Sequence, residues 1–172
     1  MDTVDLVVYG SLMANSVVQK MGVIVLGEQI GQLHDLEIGF LKISTENRLY
    51  RFATPIEVSG STAWVKIYTI SREALAALDE REGVPTDYER KTIPVTTCEG
   101  KGITAEIYVA NPNKIATGGY IFPAYFNHVL DGANGRHNGL SLPESAIRHV
   151  EKFRWMVKDP KDLDAELYRQ LL

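Results

Sequence analysis

Hydrophobic and polar positions alternate over short stretches of this chain, and the spacing becomes helical near its middle. Runs rich in apolar and β-branched residues predict strands at 4–9, 63–70, 91–97 and 103–110. Between the second and third strands, SREALAALDEREG (71–83) contains good helix formers, opens with a serine suited to capping and closes with a glycine suited to ending a helix. This order predicts an α+β fold, in which a small, mostly antiparallel β-barrel or sheet carries helices across its mouth and flank.

Glycines and turn-forming residues interrupt the pattern in the first third of the chain. Four glycines between positions 17 and 52 predict short strands joined by turns. Residues 52–55 and 59–61 have the composition of a loop and a turn. Further on, EGKG (99–102) predicts the hairpin turn between the last two strands.

The last third of the chain has the composition of loops that alternate with helices. Residues 111–122 predict an excursion over the surface, followed by helices that begin near Pro123 and Pro143. An apolar residue recurs every four positions in the tail, which predicts an amphipathic helix at about 160–172. The length of the chain favours a single domain over residues 1–172.

Glu82 is the most informative polar residue of the predicted helix. It shares a stripe with Leu75 and Leu78, so its carboxylate is expected on the buried face, where a charge is costly unless it is paired or used. The negative end of the helix dipole and partial burial would both raise the pKa of Glu82 towards a value useful for proton transfer. The alternative is an ordinary salt-bridged glutamate, with Arg81 or Arg90 as partner.

Composition and charge narrow the functional classes. The formal net charge is −4 and there is no basic cluster, so we expect no nucleic-acid partner. No apolar run approaches the ~20 residues of a membrane helix, and we expect no membrane partner. A single cysteine, Cys98, and the absence of a signal-peptide pattern favour a cytoplasmic location. His128, His137 and His149 match no zinc spacing, so we expect no metal site.

Three segments together resemble a known family. They are VVYGSLM (7–13), LDEREGVPTDYERKTIPV (78–95) and FPAYFNHVLDGANGRHNGLSLPES (122–145). They resemble, in the same order, three segments of the γ-glutamylcyclotransferase (AIG2-like) family. The first resembles the YGS loop of that family, and the second resembles its helix ending in LDxxEG with the tyrosine and strand that follow. The third resembles the late Tyr, Gly-Ala and Gly-Leu-Pro region. The resemblance covers roughly residues 6 to 153.

The resemblance implies a γ-glutamylcyclotransferase-like enzyme of the lyase or acyltransferase class. Such an enzyme closes a γ-glutamyl amide or peptide into 5-oxoproline and releases an amine or amino acid, without a cofactor. Glu82 would be the catalytic residue that carries the proton. The YGS strand end offers backbone N–H groups that can hold an oxygen of the substrate. The expected substrate-binding residues are Tyr9, Gly10, Ser11, Leu12, Tyr88 and Tyr125, with Tyr120 as the nearby alternative to Tyr125.

Two departures from the family pattern keep a second interpretation open. Leu12 stands where the family usually has asparagine, and Ala146 where it often has tyrosine. A non-catalytic member of the fold that binds an amino-acid-like ligand is therefore the alternative. The leaving group also stays open, between a γ-glutamylamine, an isopeptide, glutathione and another metabolite; its selectivity would lie in residues 44–62 and 111–122. The chain is expected to be a monomer or a homodimer.

Overall fold

A closed β-barrel of five strands forms the centre of the computed structural model, which describes residues 2–163. The strands, numbered in chain order, are β1 (Thr3–Val8), β2 (Val25–Ile43), β3 (Arg51–Ser71), β4 (Tyr88–Thr97) and β5 (Gly102–Ala110). Around the barrel they follow the order β1, β3, β2, β4, β5, and only the pairing of β5 with β1 is parallel. The predicted α+β fold with a mostly antiparallel barrel is confirmed.

Within the described residues, four α-helices and four short 3₁₀ turns surround the barrel. The helices are α1 (Asn15–Lys20), α2 (Ala74–Glu82), α3 (Pro123–Ala133) and α4 (Glu144–Glu151), and the 3₁₀ turns are Ser11–Met13, Pro112–Lys114, Arg154–Met156 and Pro160–Asp162. Proline stands at the start of α3 and just before α4, as predicted. The N–H of Thr97 donates to the carbonyl of Lys101 at 2.8 Å, which confirms the hairpin turn between β4 and β5.

Alternation along the strands builds the core. Side chains such as Leu33, Val65, Ile67 and Ile107 are completely buried because every second residue of these strands points into the closed barrel. The core continues outward to Phe126 of α3, which is also fully buried. Helix α3 in turn packs on the 3₁₀ turn that follows β1.

The prediction of short strands between residues 17 and 52 is wrong. This segment contains α1 and then one 19-residue strand, β2, which pairs along most of its length with the 21-residue β3. A Cβ atom on Gly31 would lie 2.6 Å from Cδ1 of Ile67 and 2.9 Å from Cγ1 of Val95. The glycine therefore marks a close approach inside the barrel instead of a turn.

The predicted loop at 52–55 and turn at 59–61 are also wrong, because both lie within β3. The register with β2 shifts near the second of them, and the N–H of Gly60 donates to Oδ1 of Asp35 at 2.7 Å across the resulting bulge. Pro55 lies beyond the part of β3 that pairs with β1, where the missing N–H of a proline is tolerated. The turn-forming residues of this segment therefore lie at a bulge and near the start of a long strand, and they do not form separate turns.

Helix α2 is shorter than predicted. It begins at Ala74, whereas Ser71 is the last residue of β3 and pairs with Thr3 of β1, so the serine does not cap the helix. The predicted end is confirmed, since Gly83 follows the helix in the left-handed conformation with φ 66°. Glu82 is thus the last helical residue.

At the carboxyl end, the structure describes part of the predicted helix at 160–172. Residues 160–162 form a 3₁₀ turn that is capped by Asp159, whose side chain accepts the N–H of Lys161. The remainder of the predicted amphipathic helix lies outside the described residues. Within residues 2–163, no helix is long and apolar enough to cross a membrane. The single domain remains a prediction.

Candidate active site

A cavity of about 530 Å³ lies at the end of the barrel where β1, β2 and β5 finish and β3 and β4 begin. All seven site residues expected from the sequence line it: Tyr9, Gly10, Ser11, Leu12, Glu82, Tyr88 and Tyr125. The other lining residues are Val7, Val8, Lys42, Ser44, Thr45, Glu46, Phe52, Ala53, Glu80, Arg81, Gly83, Asp87 and Tyr108. The fold therefore gathers the predicted residues in one place, while their roles remain predictions.

Glu82 presents a buried carboxylate to this cavity from the end of α2. Its side chain is 17% exposed. Burial raises the pKa of Glu82 above the ordinary glutamate value, and the charges of Arg81 and Lys42 oppose this rise without cancelling it. Nε of Arg81 lies 3.5 Å from Oε1 of Glu82, so the carboxylate has an ion-pair partner on its own helix. Both features foreseen for Glu82, burial and a salt bridge, are present together.

Three of the tyrosines at the cavity are held by backbone groups. The hydroxyl of Tyr9 donates to the carbonyl of Tyr108 at 2.6 Å, and that of Tyr88 donates to the carbonyl of Ala53 at 3.1 Å. The N–H of Ala53 donates to the hydroxyl oxygen of Tyr125 at 2.9 Å. The backbone N–H and C=O of a single residue of β3, Ala53, thus fix two tyrosines.

These tyrosines stay protonated. Burial raises the pKa of Tyr9, Tyr88 and Tyr125 above the ordinary tyrosine value, and the negative charge of Glu82 raises each of them further. For Tyr125, hydrogen bonds from the backbone at Ala53 and Ser11 partly offset the rise. The three tyrosine hydroxyl groups in the same cavity as Glu82 are therefore neutral.

The strand end that follows Val8 forms a tight turn. The N–H groups of Met13 and Ala14 donate to the carbonyls of Gly10 and Ser11 at 3.0 and 3.1 Å, which leaves the preceding N–H groups at the amino end of the 3₁₀ turn. The Tyr125 hydroxyl lies 3.0 Å from the position that a Cβ on Gly10 would occupy. A side chain at position 10 would therefore crowd the hydroxyl of Tyr125.

The cavity wall contains an ion pair that was not predicted from the sequence. Lys42, 2% exposed, donates from Nζ to Oδ1 of Asp87 at 2.9 Å, and Thr45 donates to the same oxygen at 3.1 Å. Burial disfavours ionisation of Asp87, but the hydrogen bond and charge of Lys42, with help from Thr45 and Lys114, hold its pKa below the usual value. The nearest sequence signal is a lysine at an otherwise apolar strand end, GFLKI (39–43).

Helix α2 contributes more to the cavity than its hydrophobic stripe suggested. Glu80 and Arg81 lie off the stripe of Leu75, Leu78 and Glu82, yet both line the cavity beside Glu82. Asp79 accepts the hydroxyl of Tyr108 at 2.8 Å and lies 3.2 Å from Nε of Arg90. The last turn of α2 is therefore tied to the adjacent strands β4 and β5.

Of the segments expected to set leaving-group selectivity, one reaches the cavity. Residues 44–46 and the start of β3 line it, whereas residues 111–122 are absent from the lining that the structure describes. Ala146, one of the two departures from the family pattern, packs against the core in α4 and is not among the described lining residues either. Leu12, the other departure, does line the cavity.

No histidine or cysteine is among the cavity-lining residues that the structure describes. His149 is hydrogen-bonded through Nε2 to the carbonyl of Ile38 at 2.8 Å, and Cys98 is exposed and free. Among the residues that the structure describes, no three or more His, Cys, Asp or Glu side chains gather in a way that could hold a metal ion.

Solved structures with the same fold include proteins of one named activity. A protein described as gamma-glutamyl cyclotransferase is 19% identical, with a TM-score of 0.75, over 99% of this chain and 98% of that one. An uncharacterized protein from Homo sapiens is 20% identical, with a TM-score of 0.75, over 99% of this chain and 96% of that one. YkqA from Bacillus subtilis is 20% identical, with a TM-score of 0.78, over 92% of this chain and 57% of that one. At these identities the similarity shows a shared fold, that of gamma-glutamyl cyclotransferases.

The sequence itself carries the family assignment. The family model described as "Gamma-glutamyl cyclotransferase, AIG2-like" matches residues 6–124, well over half of the chain. This protein therefore belongs to the gamma-glutamyl cyclotransferase, AIG2-like family, as the three sequence segments predicted. No curated protein sequence matches the chain.

Proposed function

We propose that this protein catalyses the cyclisation of a γ-glutamyl amide or peptide to 5-oxoproline. In this reaction the α-amino nitrogen of the substrate attacks its own γ-carbonyl carbon, a C–N bond forms within a five-membered lactam, and the C–N bond to the leaving amine breaks. The nucleophile loses a proton and the leaving nitrogen gains one, so no water is consumed. Because both reacting groups belong to one molecule, the enzyme must mainly orient them and move the proton.

Glu82 is the residue that we propose as the proton carrier. The observation that carries the proposal is a buried carboxylate with a raised pKa at the wall of a cavity of ligand size. Ionised Glu82 would accept the proton from the α-amino group and, as the acid, return it to the leaving nitrogen. A positioned acid–base group of this kind contributes about 10² to 10⁴ in rate.

The turn after β1 and the tyrosines complete the proposed site. The N–H groups of Gly10, Ser11 and Leu12 are candidates to hold the γ-oxyanion or the α-carboxylate, and one such donor contributes about 2.7–4 kcal/mol to transition-state stabilisation. The N–H of Ser11 already contacts the hydroxyl of Tyr125. Tyr88 and Tyr125 would position the substrate, since both are fixed to the backbone of Ala53. The exchange of asparagine for Leu12 leaves backbone donors in place.

The test is 5-oxoproline release from a panel of γ-glutamyl dipeptides, γ-glutamylamines and isopeptides. Glutathione belongs in the panel because a yeast structure with this fold, 13% identical and with a TM-score of 0.56, is described as a cyclotransferase specific to glutathione. Glu82→Gln keeps the shape of the side chain and removes the base, so we expect kcat to fall by about 10² to 10⁴. Glu73→Gln, at an exposed residue just before the same helix and outside the cavity lining, is expected to retain full activity.

Two results would count against the proposal. If Glu82→Gln were as active as Glu73→Gln, another group would move the proton. If the wild-type protein released nothing from any member of the panel, the non-catalytic alternative would be favoured, and stabilisation of the protein by 5-oxoproline in thermal unfolding would then test ligand binding.

A further inference from the structure

The cavity wall contains a buried lysine, Lys42, to which the proposed reaction assigns no role. Lys42, at the end of β2, is 2% exposed, and its Nζ lies 5.3 Å from the ring centroid of Tyr88 and 5.9 Å from that of Phe52. An ammonium group in such surroundings is costly unless it is paired or used. Its salt bridge to Asp87, at 2.9 Å, meets the first condition.

The carboxylate of that salt bridge is shared with a second lysine. Asp87 also lies 3.7 Å from Nζ of Lys114, so one carboxylate serves two ammonium groups. The ion pair also has a fixed relation to Glu82. Asp87 follows Glu82 in the same turn, and its N–H donates to the carbonyl of Gly83 at 2.8 Å. Lys42 is thus tied to the segment that carries the proposed base.

Other charged groups line the same cavity as Glu82. Arg81 and Glu80 lie on α2 itself, Glu46 lies in the segment after β2, and the remaining titratable neighbours are Asp87 and four tyrosines. Arg81, although it is the ion-pair partner of Glu82, has a side chain that is 41% exposed, so solvent weakens its effect. Lys42 is the buried cation of this set, where a charge acts with less screening.

We propose that Lys42 is a positioning residue of this site: its buried ammonium keeps the Glu82 carboxylate ionised before each turnover, and the carboxylate of Asp87 offsets part of its charge. This inference rests on the proposed function, in which Glu82 must start as a base. Burial alone favours the neutral acid, which cannot accept a proton. Lys42 and Glu82 line the same cavity, and Asp87, which binds Lys42, is hydrogen-bonded to the residue that follows Glu82. The charge of Lys42 acts on the pKa of Glu82 downward, against burial.

The test follows the titration of Glu82 itself by NMR, with ¹³C at the glutamate side-chain carboxyl carbons and Glu82→Gln to assign the signal. In Lys42→Met, which keeps the length of the side chain and loses its charge, the midpoint of the Glu82 titration is expected to rise by about 1 pH unit. Lys91→Met removes the same charge from an exposed lysine outside the cavity lining, and is expected to leave the midpoint unchanged.

Asp87→Asn provides the opposite change. It removes the negative charge that offsets Lys42, so the midpoint is expected to fall, whereas a merely structural role of the ion pair predicts no opposed shifts. An unchanged midpoint in Lys42→Met would overturn the proposal. If Lys42→Met does not fold, Lys42→Gln decides: a higher midpoint supports the proposal, and an unchanged or lower one overturns it. Because no substrate is used, the result stands whether or not 5-oxoproline release is found.

Discussion

At the scale of single residues, Glu82 combines two properties that oppose each other. Its side chain is largely buried, which favours the neutral acid, yet a base must carry a charge. The carboxylate is therefore held in surroundings that make its ionisation costly to the folded state. Functional sites contain such destabilising groups because a carboxyl group with a raised pKa is suited to proton transfer near neutral pH.

This cost predicts how stability changes in Glu82→Gln. Because the pKa of Glu82 is raised in the folded state, the stability that the neutral acid contributes is complete below the unfolded-state pKa and is lost as pH rises through the folded-state pKa. The variant should therefore unfold at a higher temperature than the wild type above that folded-state pKa, with the difference vanishing at lower pH. Thermal unfolding as a function of pH, with Glu73→Gln as the control, measures this. A variant that is less stable at neutral pH would mean that the ion pair with Arg81 outweighs burial.

Sequence reasoning at the residue scale found the residues whose types stand out in their segments. Glu82 interrupts a hydrophobic stripe, and the tyrosines and the turn belong to segments that resemble a family. Lys42 and Tyr108 were missed because each lies on a strand whose pattern is that of a barrel wall. Their proximity to Glu82 depends on how distant strands close into the barrel, which local spacing does not encode.

At the scale of elements, the sequence predicted β1, β4, β5, α3 and α4 well, and failed on the long β2–β3 hairpin. Its glycines and Pro55 are turn formers in isolation, so local composition divided one pair of long strands into several short ones. Ser71 misled the prediction for the same reason, since a capping residue was identified without its pairing to Thr3. In each case a tertiary partner overrides the local preference.

Substitution of Gly31 tests whether this glycine is needed for a close contact inside the barrel. Gly31→Ala would place a Cβ 2.6 Å from Ile67 and 2.9 Å from Val95, both of which lie in the core and cannot move freely, so we expect a loss of about 1–3 kcal/mol in the free energy of unfolding. Gly27→Ala is the matched control on the same strand. Its nearest atom beyond the chain neighbours lies 3.4 Å away, and alanine there should be neutral or stabilise by roughly 0.4–1 kcal/mol. Urea unfolding compares the two variants, and equal effects would contradict a close approach at Gly31.

At the scale of the whole molecule, closure of the barrel assembles the site. The parallel pairing of β1 with β5 brings Tyr9 to the carbonyl of Tyr108, 99 residues away in the chain, and the antiparallel order places the ends of β2 and β5 beside the starts of β3 and β4. Helix α2 then adds Glu82 and α3 adds Tyr125 to that end. The proposed reaction therefore draws on both the barrel and the helices around it.

The most direct test of the account is the identity of the product formed from a γ-glutamyl substrate in water enriched in ¹⁸O. Cyclisation uses no water, so we predict 5-oxoproline without ¹⁸O and the free amine in equal amounts, both lost in Glu82→Gln. Release of glutamate that carries ¹⁸O in its γ-carboxylate would contradict the account, because it would show that water attacks the γ-carbonyl and that the protein is a hydrolase.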